Sequence, residues 1–220
     1  MSTNDPQPPE QNDVEIQEQQ PTPSKRIFDV ILSCSLLLVL FPFLLLVALY
    51  IKAVSKGPVL YIQPRLGMGG KMFRILKFRT MHHRKQVRDE AHRQYVSELA
   101  SGDQVLKKPD YKSQLIPGGA LLRSLSIDEL PQLWNVVVGQ MSLVGPRPDL
   151  LKLEDYTPEQ LRRFEVLPGI TGLWQVNDKN EMTFNEMIKL DIEYVDTGNL
   201  LLDIKILFAT AVTLIRPSNS

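Results

Sequence analysis

The longest apolar stretch of the chain lies at residues 31–51, which are 21 residues without a charged side chain. Coiled as a helix at roughly 1.5 Å per residue, this stretch is about 31 Å long, enough to cross the hydrocarbon core of a bilayer. Pro42 lies near its middle, where the missing N–H and the proline ring favour a kink. The pattern predicts a membrane helix.

Basic residues lie on both sides of this helix: Lys25 and Arg26 before it, Lys52 and Lys56 after it. A spanning helix usually shows its lysine and arginine bias on the cytoplasmic side only. Cations at both ends instead suit a re-entrant helix, which enters and leaves through one face of the membrane and breaks at Pro42. Charge and length alone leave open both this arrangement and a kinked single-span anchor.

Residues 1–24 have a different composition, dominated by Pro, Gln and acids. Val14 and Ile16 are their only large apolar side chains besides the initiator Met1, too few to offset the entropy lost on ordering. We predict a disordered acidic tail. It is not a secretory signal peptide, because its first residues are acidic and the apolar run begins too late.

After the membrane helix, the pattern changes to the alternation of strands. Residues 58–64 and 72–78 flank a glycine-rich turn and predict a β-hairpin. Residues 82–99 are highly charged with apolar side chains at helical spacing, which predicts either an amphipathic helix on anionic headgroups or an ordinary surface helix. A loop at 100–119 follows, and two apolar helical stretches close the chain, near 184–195 and 200–215.

Acids and bases balance over the whole chain, with 25 of each. The tail holds five of the acids and no base, so the remaining 25 bases face 20 acids, a net charge of +5. That excess is too mild for a nucleic-acid binder without a matching motif, but it suits a phosphate-bearing partner. The single cysteine, Cys34, and the spacing of the three histidines disfavour disulfides and transition-metal sites.

Two short segments carry candidate chemistry. Ser126–Glu129 has the S/T-x-x-E spacing of a helix capping box, so Asp128 and Glu129 could be plain capping residues or a reactive acidic pair. Arg147 lies between two prolines, whose rigid φ angles fix where a planar, bidentate donor points. Further cations surround these segments in sequence and could hold phosphates: Arg65, Arg74, Lys77, Arg79 and Arg123.

These segments together resemble one family. KRIFDV, the proline-centred apolar helix, PVLYIQPRLGMGGKMFRILKFRTM, LSIDELPQLWNVVVGQMSLVGPRP and LPGITGLWQV follow one another as in the small monotopic phosphoglycosyl transferases, bacterial sugar transferases that initiate glycoconjugate assembly on polyprenyl phosphate. The similarity covers roughly residues 25–215, and the DELPQL…SLVGPRP block is specific to the family. Residues 110–123 depart from the family's usual basic stretch.

The resemblance implies transfer of a sugar-1-phosphate from a UDP-sugar to undecaprenyl phosphate, with release of UMP. By similarity Asp128 is the nucleophile of a covalent phosphosugar intermediate and a ligand of Mg²⁺ or Mn²⁺, and Glu129 orients the metal or deprotonates the acceptor. A carboxylate nucleophile divides one hard displacement into two easier ones, and phosphoryl charge is commonly held by Mg²⁺ and basic side chains. The phosphate-binding residues would be Lys77, Arg79, Arg147, Arg65 and Arg123.

We therefore expect an α+β, mainly helical monotopic membrane protein with a small β-hairpin and interfacial amphipathic helices. Its parts are the tail (1–24), the re-entrant helix (25–56, with Lys25, Arg26 and Pro42 as structural residues) and a catalytic domain (57–220). The domain would lie on the cytoplasmic face of the bacterial inner membrane, near membrane lipids and downstream glycosyltransferases, without nucleic acid. Two alternatives remain open: a catalytically silent scaffold of the same fold, and a sugar-phosphate hydrolase.

Overall fold

A long helix, α1 (Pro23–Val54), begins the fold in the computed structural model, which describes residues 16–82, 112–177 and 182–215. The Thr22 side chain caps α1 by accepting a hydrogen bond from the backbone N–H of Lys25, 3.3 Å away, and Pro23 suits the first turn. Both signals start the helix before the apolar run. The helix continues through Pro42, and the kink there stays a prediction.

The segment before α1 lies against the body of the protein. Gln19 donates its backbone N–H to the carbonyl of Glu165 at 2.6 Å, Glu18 pairs with Lys71, and Ile16 packs against an apolar cluster. The prediction of a disordered tail to residue 24 is therefore wrong for residues 16–24, because one apolar side chain and a few polar contacts hold them. Residues 1–15 lie outside the described part of the chain.

The predicted hairpin is confirmed. β1 (Leu60–Leu66) and β2 (Met72–Phe78) pair antiparallel, with Leu60 opposite Phe78 and Leu66 opposite Met72. The turn between them needs glycine, because Gly69 and Gly70 have φ angles of 65° and 70°, which side chains with a Cβ rarely adopt. The first strand ends two residues later than predicted.

Short elements follow the hairpin, and the predicted helix at 82–99 falls almost wholly on residues outside the described ranges. α2 (Gly119–Ser124), a 3-10 turn (Ile127–Glu129) and α3 (Gln132–Val137) lead into β3 (Ser142–Val144), which pairs parallel with β4 (Gly169–Thr171). The sequence pattern did not predict this strand pair. Beyond α4 (Leu173–Val176), the predicted terminal helices are present as α5 (Phe184–Thr197) and α6 (Leu200–Ile215).

The first turns of α1 are tied to the body of the protein. Arg26 donates to the carbonyls of Val136 and Val137 at 2.7 and 2.9 Å, and Lys25 forms an ion pair with the buried Asp203 of α6 at 2.7 Å. The last carbonyls of a helix such as α3 lack partners within the helix, so a guanidinium is a suitable donor for them. Lys25 and Arg26, predicted as basic flanks of a membrane helix, thus act as structural contacts within the protein.

The end of α1 is tied to the same body. Arg79 donates to the carbonyls of Ser55 and Lys56 at 3.0 and 2.6 Å, and the Tyr50 hydroxyl donates to the carbonyl of Pro117 at 3.1 Å. Between its two ends the helix exposes apolar side chains, among them Leu38, which is 78% exposed. By length and composition α1 could cross a membrane, and 11% of its most apolar window is buried in the protein.

Candidate functional site

Asp128 and Glu129 lie in the 3-10 turn that precedes α3. Ser126 just before them has a φ of 55°, in the left-handed region, and its side chain makes no capping hydrogen bond. The capping-box interpretation of Ser126–Glu129 is therefore wrong for this protein. Both acids are free of a capping role at Ser126 and are partly buried, which leaves their carboxylates available for other partners.

Glu129 is the centre of an ion-pair cluster. Its Oε1 accepts from Lys77 Nζ at 2.9 Å, and the Arg147 guanidinium pairs with both of its oxygens, Nη1 reaching Oε2 at 3.1 Å and Nη2 contacting Oε1. Burial alone would raise the pKa of Glu129, but Arg147 and Lys77 outweigh it and hold this pKa well below its usual range. Glu129 is thus expected to be ionised at neutral pH, where its carboxylate orients two cations.

Lys77 reaches this cluster from β2. Burial, opposed by the charge of Glu129, lowers the pKa of its ammonium, and the nearby Arg147 and Arg65 lower it further. An ammonium desolvated among other cations gains from a bound anion. Lys77 is therefore suited to contact a phosphate group as well as Glu129.

Asp128, next to Glu129, is in a different electrostatic state. Burial and the adjacent charge of Glu129 raise its pKa to about 6, although Lys77, Arg123 and Arg147 oppose that rise. A carboxylate with this pKa is largely ionised at neutral pH but poorly solvated. Asp128 can therefore act as a nucleophile towards an electrophile that the surrounding cations attract.

The structure separates the other predicted phosphate-binding residues. Arg65 lies near Lys77 and donates to Gln63 Oε1 at 2.7 Å and to the carbonyl of Pro148 at 3.4 Å. Arg123 is exposed and close enough to Asp128 to lower its pKa. Arg79, in contrast, is 5% exposed and holds the end of α1. Its fixed carbonyl partners give it a structural role, so the structure does not bring it into the cluster.

Asn135 of α3 is a supporting residue that the sequence analysis missed. It is 1% exposed, and its amide donates to the carbonyl of Arg74 at 2.8 Å and accepts from the N–H of Leu76 at 3.0 Å. The side chain thus completes the free edge of β2 beside Lys77 and fixes that strand against α3, the helix that follows Asp128 and Glu129. An asparagine inside the apolar run at 133–138 is the sequence signal that could have indicated it, because a polar side chain that is buried among apolar ones needs hydrogen-bond partners.

The carboxylates of the site suit a metal ion that is bound partly by the substrate. Within the described ranges, no group of three or more His, Cys, Asp or Glu side chains is placed to hold a metal ion. Both oxygens of Glu129 already accept from cations, whereas Mg²⁺ is often bound by one or two carboxylates together with substrate phosphates and water. Asp128 could bind Mg²⁺ in this way, as one carboxylate ligand beside substrate phosphates. The site therefore suits a metal that arrives with a phosphorylated substrate.

Comparisons with known proteins agree with this chemistry. The family described as "Bacterial sugar transferase" matches residues 20–217. A UDP-glucose:undecaprenyl-phosphate glucose-1-phosphate transferase of Caulobacter vibrioides is 40% identical over 205 residues, covering 89% of this chain and 71% of that protein. An undecaprenyl-phosphate glucose phosphotransferase of Komagataeibacter xylinus is 40% identical over 198 residues, 84% of this chain but only 35% of that protein.

A third relative has nearly the same length as this chain. The exopolysaccharide production protein ExoY of Sinorhizobium fredii is 38% identical over 201 residues, which cover 89% of this chain and 88% of that protein. The family match begins just before α1, ends just after α6 and includes the acidic pair and its cations. The chain therefore belongs to the bacterial sugar transferase family and is an enzyme, a phosphoglycosyl transferase.

Proposed function

We propose that this enzyme transfers a sugar-1-phosphate from a UDP-sugar to undecaprenyl phosphate and releases UMP, as the first membrane step of polysaccharide or glycoconjugate synthesis. The observation that carries the proposal is the partly buried Asp128 beside a Glu129 that is paired with Lys77 and Arg147. The Caulobacter relative is named for transfer of glucose-1-phosphate from UDP-glucose to undecaprenyl phosphate, and the Komagataeibacter relative is named an undecaprenyl-phosphate glucose phosphotransferase. UDP-glucose is therefore the first donor to test.

The reaction proceeds in two displacements. An Asp128 carboxylate oxygen attacks the phosphorus that bears the sugar, the phosphoanhydride bond breaks, and UMP leaves with the bonding electrons. An oxygen of undecaprenyl phosphate then attacks the same phosphorus, which breaks the acyl phosphate bond and restores the Asp128 carboxylate. Two easier steps replace one hard step between two anions that repel each other.

The cationic residues lower the charge barrier in both steps. Lys77 and Arg147 both contact Oε1 of Glu129, and their positive charges can attract phosphate oxygens to the same place. Glu129 keeps both side chains in place. With its pKa held so low, Glu129 is a weak base, so orientation of the cations is the role that its environment favours over deprotonation of the acceptor.

A bound Mg²⁺ or Mn²⁺ would neutralise part of the phosphate charge. Within the part of the chain that the structure describes, Asp128 is suited to hold this metal ion together with the substrate phosphates. The protein's own residues would still have to place the diphosphate against Asp128, which is the task of Lys77 and Arg147.

Labelled UDP-glucose tests the proposal directly. With undecaprenyl phosphate and Mg²⁺, we expect label in the lipid fraction and one UMP released per lipid labelled, and we expect excess chelator to abolish both because paired anions need the metal charge. Full activity in chelator would contradict the metal proposal. A silent scaffold would give neither product, and a hydrolase would give free sugar phosphate with no labelled lipid. A panel of other UDP-sugars separates a wrong sugar from a wrong reaction.

The ionisation of Asp128 predicts the pH dependence of the first step. The nucleophile must be ionised, and burial with the charge of Glu129 raises its pKa to about 6, so the rate of adduct formation should rise with pH to a plateau with a midpoint near 6. An ordinary aspartate would place this midpoint near pH 4. Single-turnover rates between pH 4.5 and 8 measure it at limiting Mg²⁺, and saturating Mg²⁺ should shift it downwards because a bound cation favours the carboxylate.

We further propose that α1 is re-entrant and that the catalytic body lies on the cytoplasmic face of the inner membrane. Contacts at both ends of α1 support this, since Arg26 binds carbonyls of α3 and Arg79 binds the carbonyls after α1 within one body. A straight helix of 32 residues would be about 48 Å long. If it spanned a bilayer, its two ends would lie on opposite sides, where one cytoplasmic domain could not bind both.

Cysteine labelling tests this topology. In a Cys34→Ala background, we expect Ser24→Cys at the start of α1 and Ser124→Cys in α2, both exposed positions, to be protected from a membrane-impermeant thiol reagent in spheroplasts and labelled after lysis. Protection of both means that they share the cytoplasmic side. Labelling of the Ser24→Cys variant before lysis would show that the helix spans. In a matched Pro42→Leu variant, removal of the proline that we expect to kink α1 should straighten the helix, favour spanning and increase that labelling.

A further inference from the structure

Arg163 is a fully buried cation behind the active-site cluster, and the proposed reaction does not use it directly. Its side chain is 1% exposed, and it lies in a 3-10 segment, Gln160–Glu165. One of its terminal nitrogens donates to the backbone carbonyl of Arg147 at 2.7 Å and to Asp191 Oδ2 at 2.6 Å. The other contacts Asp149 and lies 3.1 Å from the Tyr156 hydroxyl.

These contacts hold the chain at Arg147 and on its C-terminal side, at Asp149. The prolines at 146 and 148 have no N–H, so the segment has few backbone donors with which to anchor itself. Arg163 binds the carbonyl of Arg147 and the carboxylate two residues later. Asp149 is itself held by the Tyr156 hydroxyl and the N–H of Leu151.

An arginine is required for this set of contacts by its shape. Its planar fork offers five N–H donors and can bind several acceptors at once, whereas a lysine ammonium is a compact point charge. A buried ion pair gives little net stability compared with well-packed apolar residues. The partners of Arg163 therefore indicate control of geometry more than a gain in stability.

We infer that Arg163 is a positioning residue, which sets the place of the Arg147 backbone so that the Arg147 guanidinium meets both oxygens of Glu129. Its consequence for turnover rests on the proposed function, because that function makes Arg147 a phosphate-binding residue. The placement itself can be measured without any turnover.

The rate at which phenylglyoxal, an arginine-specific reagent, modifies Arg147 measures how well its guanidinium is held against Glu129. In the wild-type protein the Arg147 guanidinium is paired with Glu129 and should react slowly. In Arg163→Lys, we expect it to react about tenfold faster, the change expected when one hydrogen bond from a charged group is lost. Mass spectrometry of the peptide that contains Arg147 gives the rate. Met187→Ala is the control, because it removes buried volume from the apolar cluster around Tyr156 without touching a charge, and it should keep the wild-type rate.

Two further measurements keep the inference falsifiable. If Arg163→Lys does not fold, Asp149→Asn loosens the same segment and should also speed modification of Arg147. In an Arg147→Lys background, Arg163→Lys should lower the rate of UMP release by no more than about twofold, because residues that act through one another are not additive. Unchanged modification of Arg147 in folded variants, an equal rise in Met187→Ala, or losses of UMP release that multiply would overturn the inference. If the wild-type enzyme labels no lipid, the proposed function fails, while the modification rates still decide the role of Arg163.

Discussion

Asp128→Asn should lower the rate of UMP release by about four orders of magnitude or more, the loss seen when a covalent nucleophile is removed. Asn has the same shape but cannot form the acyl phosphate bond. The variant should remain folded and membrane-bound. The structure sharpens this test, because Ser126 makes no capping bond and the loss of activity would not come from a lost helix cap.

The same substitution should not destabilise the protein. The folded state holds the pKa of Asp128 at about 6, above its ordinary value of 3.8, so ionisation at neutral pH opposes folding and the neutral Asn removes that cost. An unchanged or higher melting temperature with no activity is therefore the expected pair of results. Many active-site residues show this exchange of stability for function.

A surface aspartate supplies the control. Asp196 pairs with Arg162 and is 49% exposed, so Asp196→Asn should keep wild-type turnover. In the wild-type enzyme, brief incubation with UDP-glucose and no lipid acceptor should leave a phosphosugar on the peptide that contains Asp128. An Asp128→Asn enzyme with activity within tenfold of wild type, or an adduct on another residue, would show that Asp128 is not the nucleophile.

Arg147→Ala should lower kcat/KM for the UDP-sugar by about a hundredfold or more, which corresponds to roughly 2.7 kcal/mol of transition-state stabilisation. Arg147→Lys should recover little of this loss. Arg147 contacts both oxygens of Glu129, and an ammonium cannot reproduce this planar, bidentate geometry. Steady-state kinetics with separate kcat and KM values measure the effect.

Arg162 is the matched control for this prediction, because it also contacts both oxygens of a carboxylate, Asp196, but lies at the surface. Arg162→Ala and Arg162→Lys should leave turnover unchanged, since exposed ion pairs contribute little. Activity of Arg147→Lys within about threefold of wild type would indicate simple charge attraction at this position and would remove the argument for a bidentate contact.

The two prolines beside Arg147 allowed this residue to be singled out from the sequence. Arg79 could not be excluded as a phosphate-binding residue in the same way, because its carbonyl partners lie elsewhere in the chain. The Pro-Arg-Pro motif restricts the backbone locally, so its meaning is visible in three residues. Arg79 has no local feature that distinguishes it from Lys77. Only the folded chain shows that Arg79 lies against the carbonyls of Ser55 and Lys56, while Lys77 faces Glu129.

Several elements of the fold could be predicted because their signals are local. The apolar run of α1, the alternation of β1 and β2 and the periodicity of α5 and α6 all depend on residues close in sequence, and the structure confirms each of them. The acidic pair at 128 and 129 was identified by its motif, although the sequence could not choose between a cap and a reactive site.

Which charged groups meet is visible only in the folded chain. Lys77 and Glu129 are 52 residues apart in sequence, Lys25 and Asp203 are 178 apart, and the parallel pair of β3 and β4 joins segments more than twenty residues apart. Basic residues that the sequence alone does not distinguish have different roles in the fold: Lys77 is a phosphate-binding candidate, Arg79 holds the end of α1, and Arg163 is proposed to position Arg147. The physical reason is that a charged side chain takes its role from the partners within a few ångströms of it, and the fold of the whole chain chooses those partners.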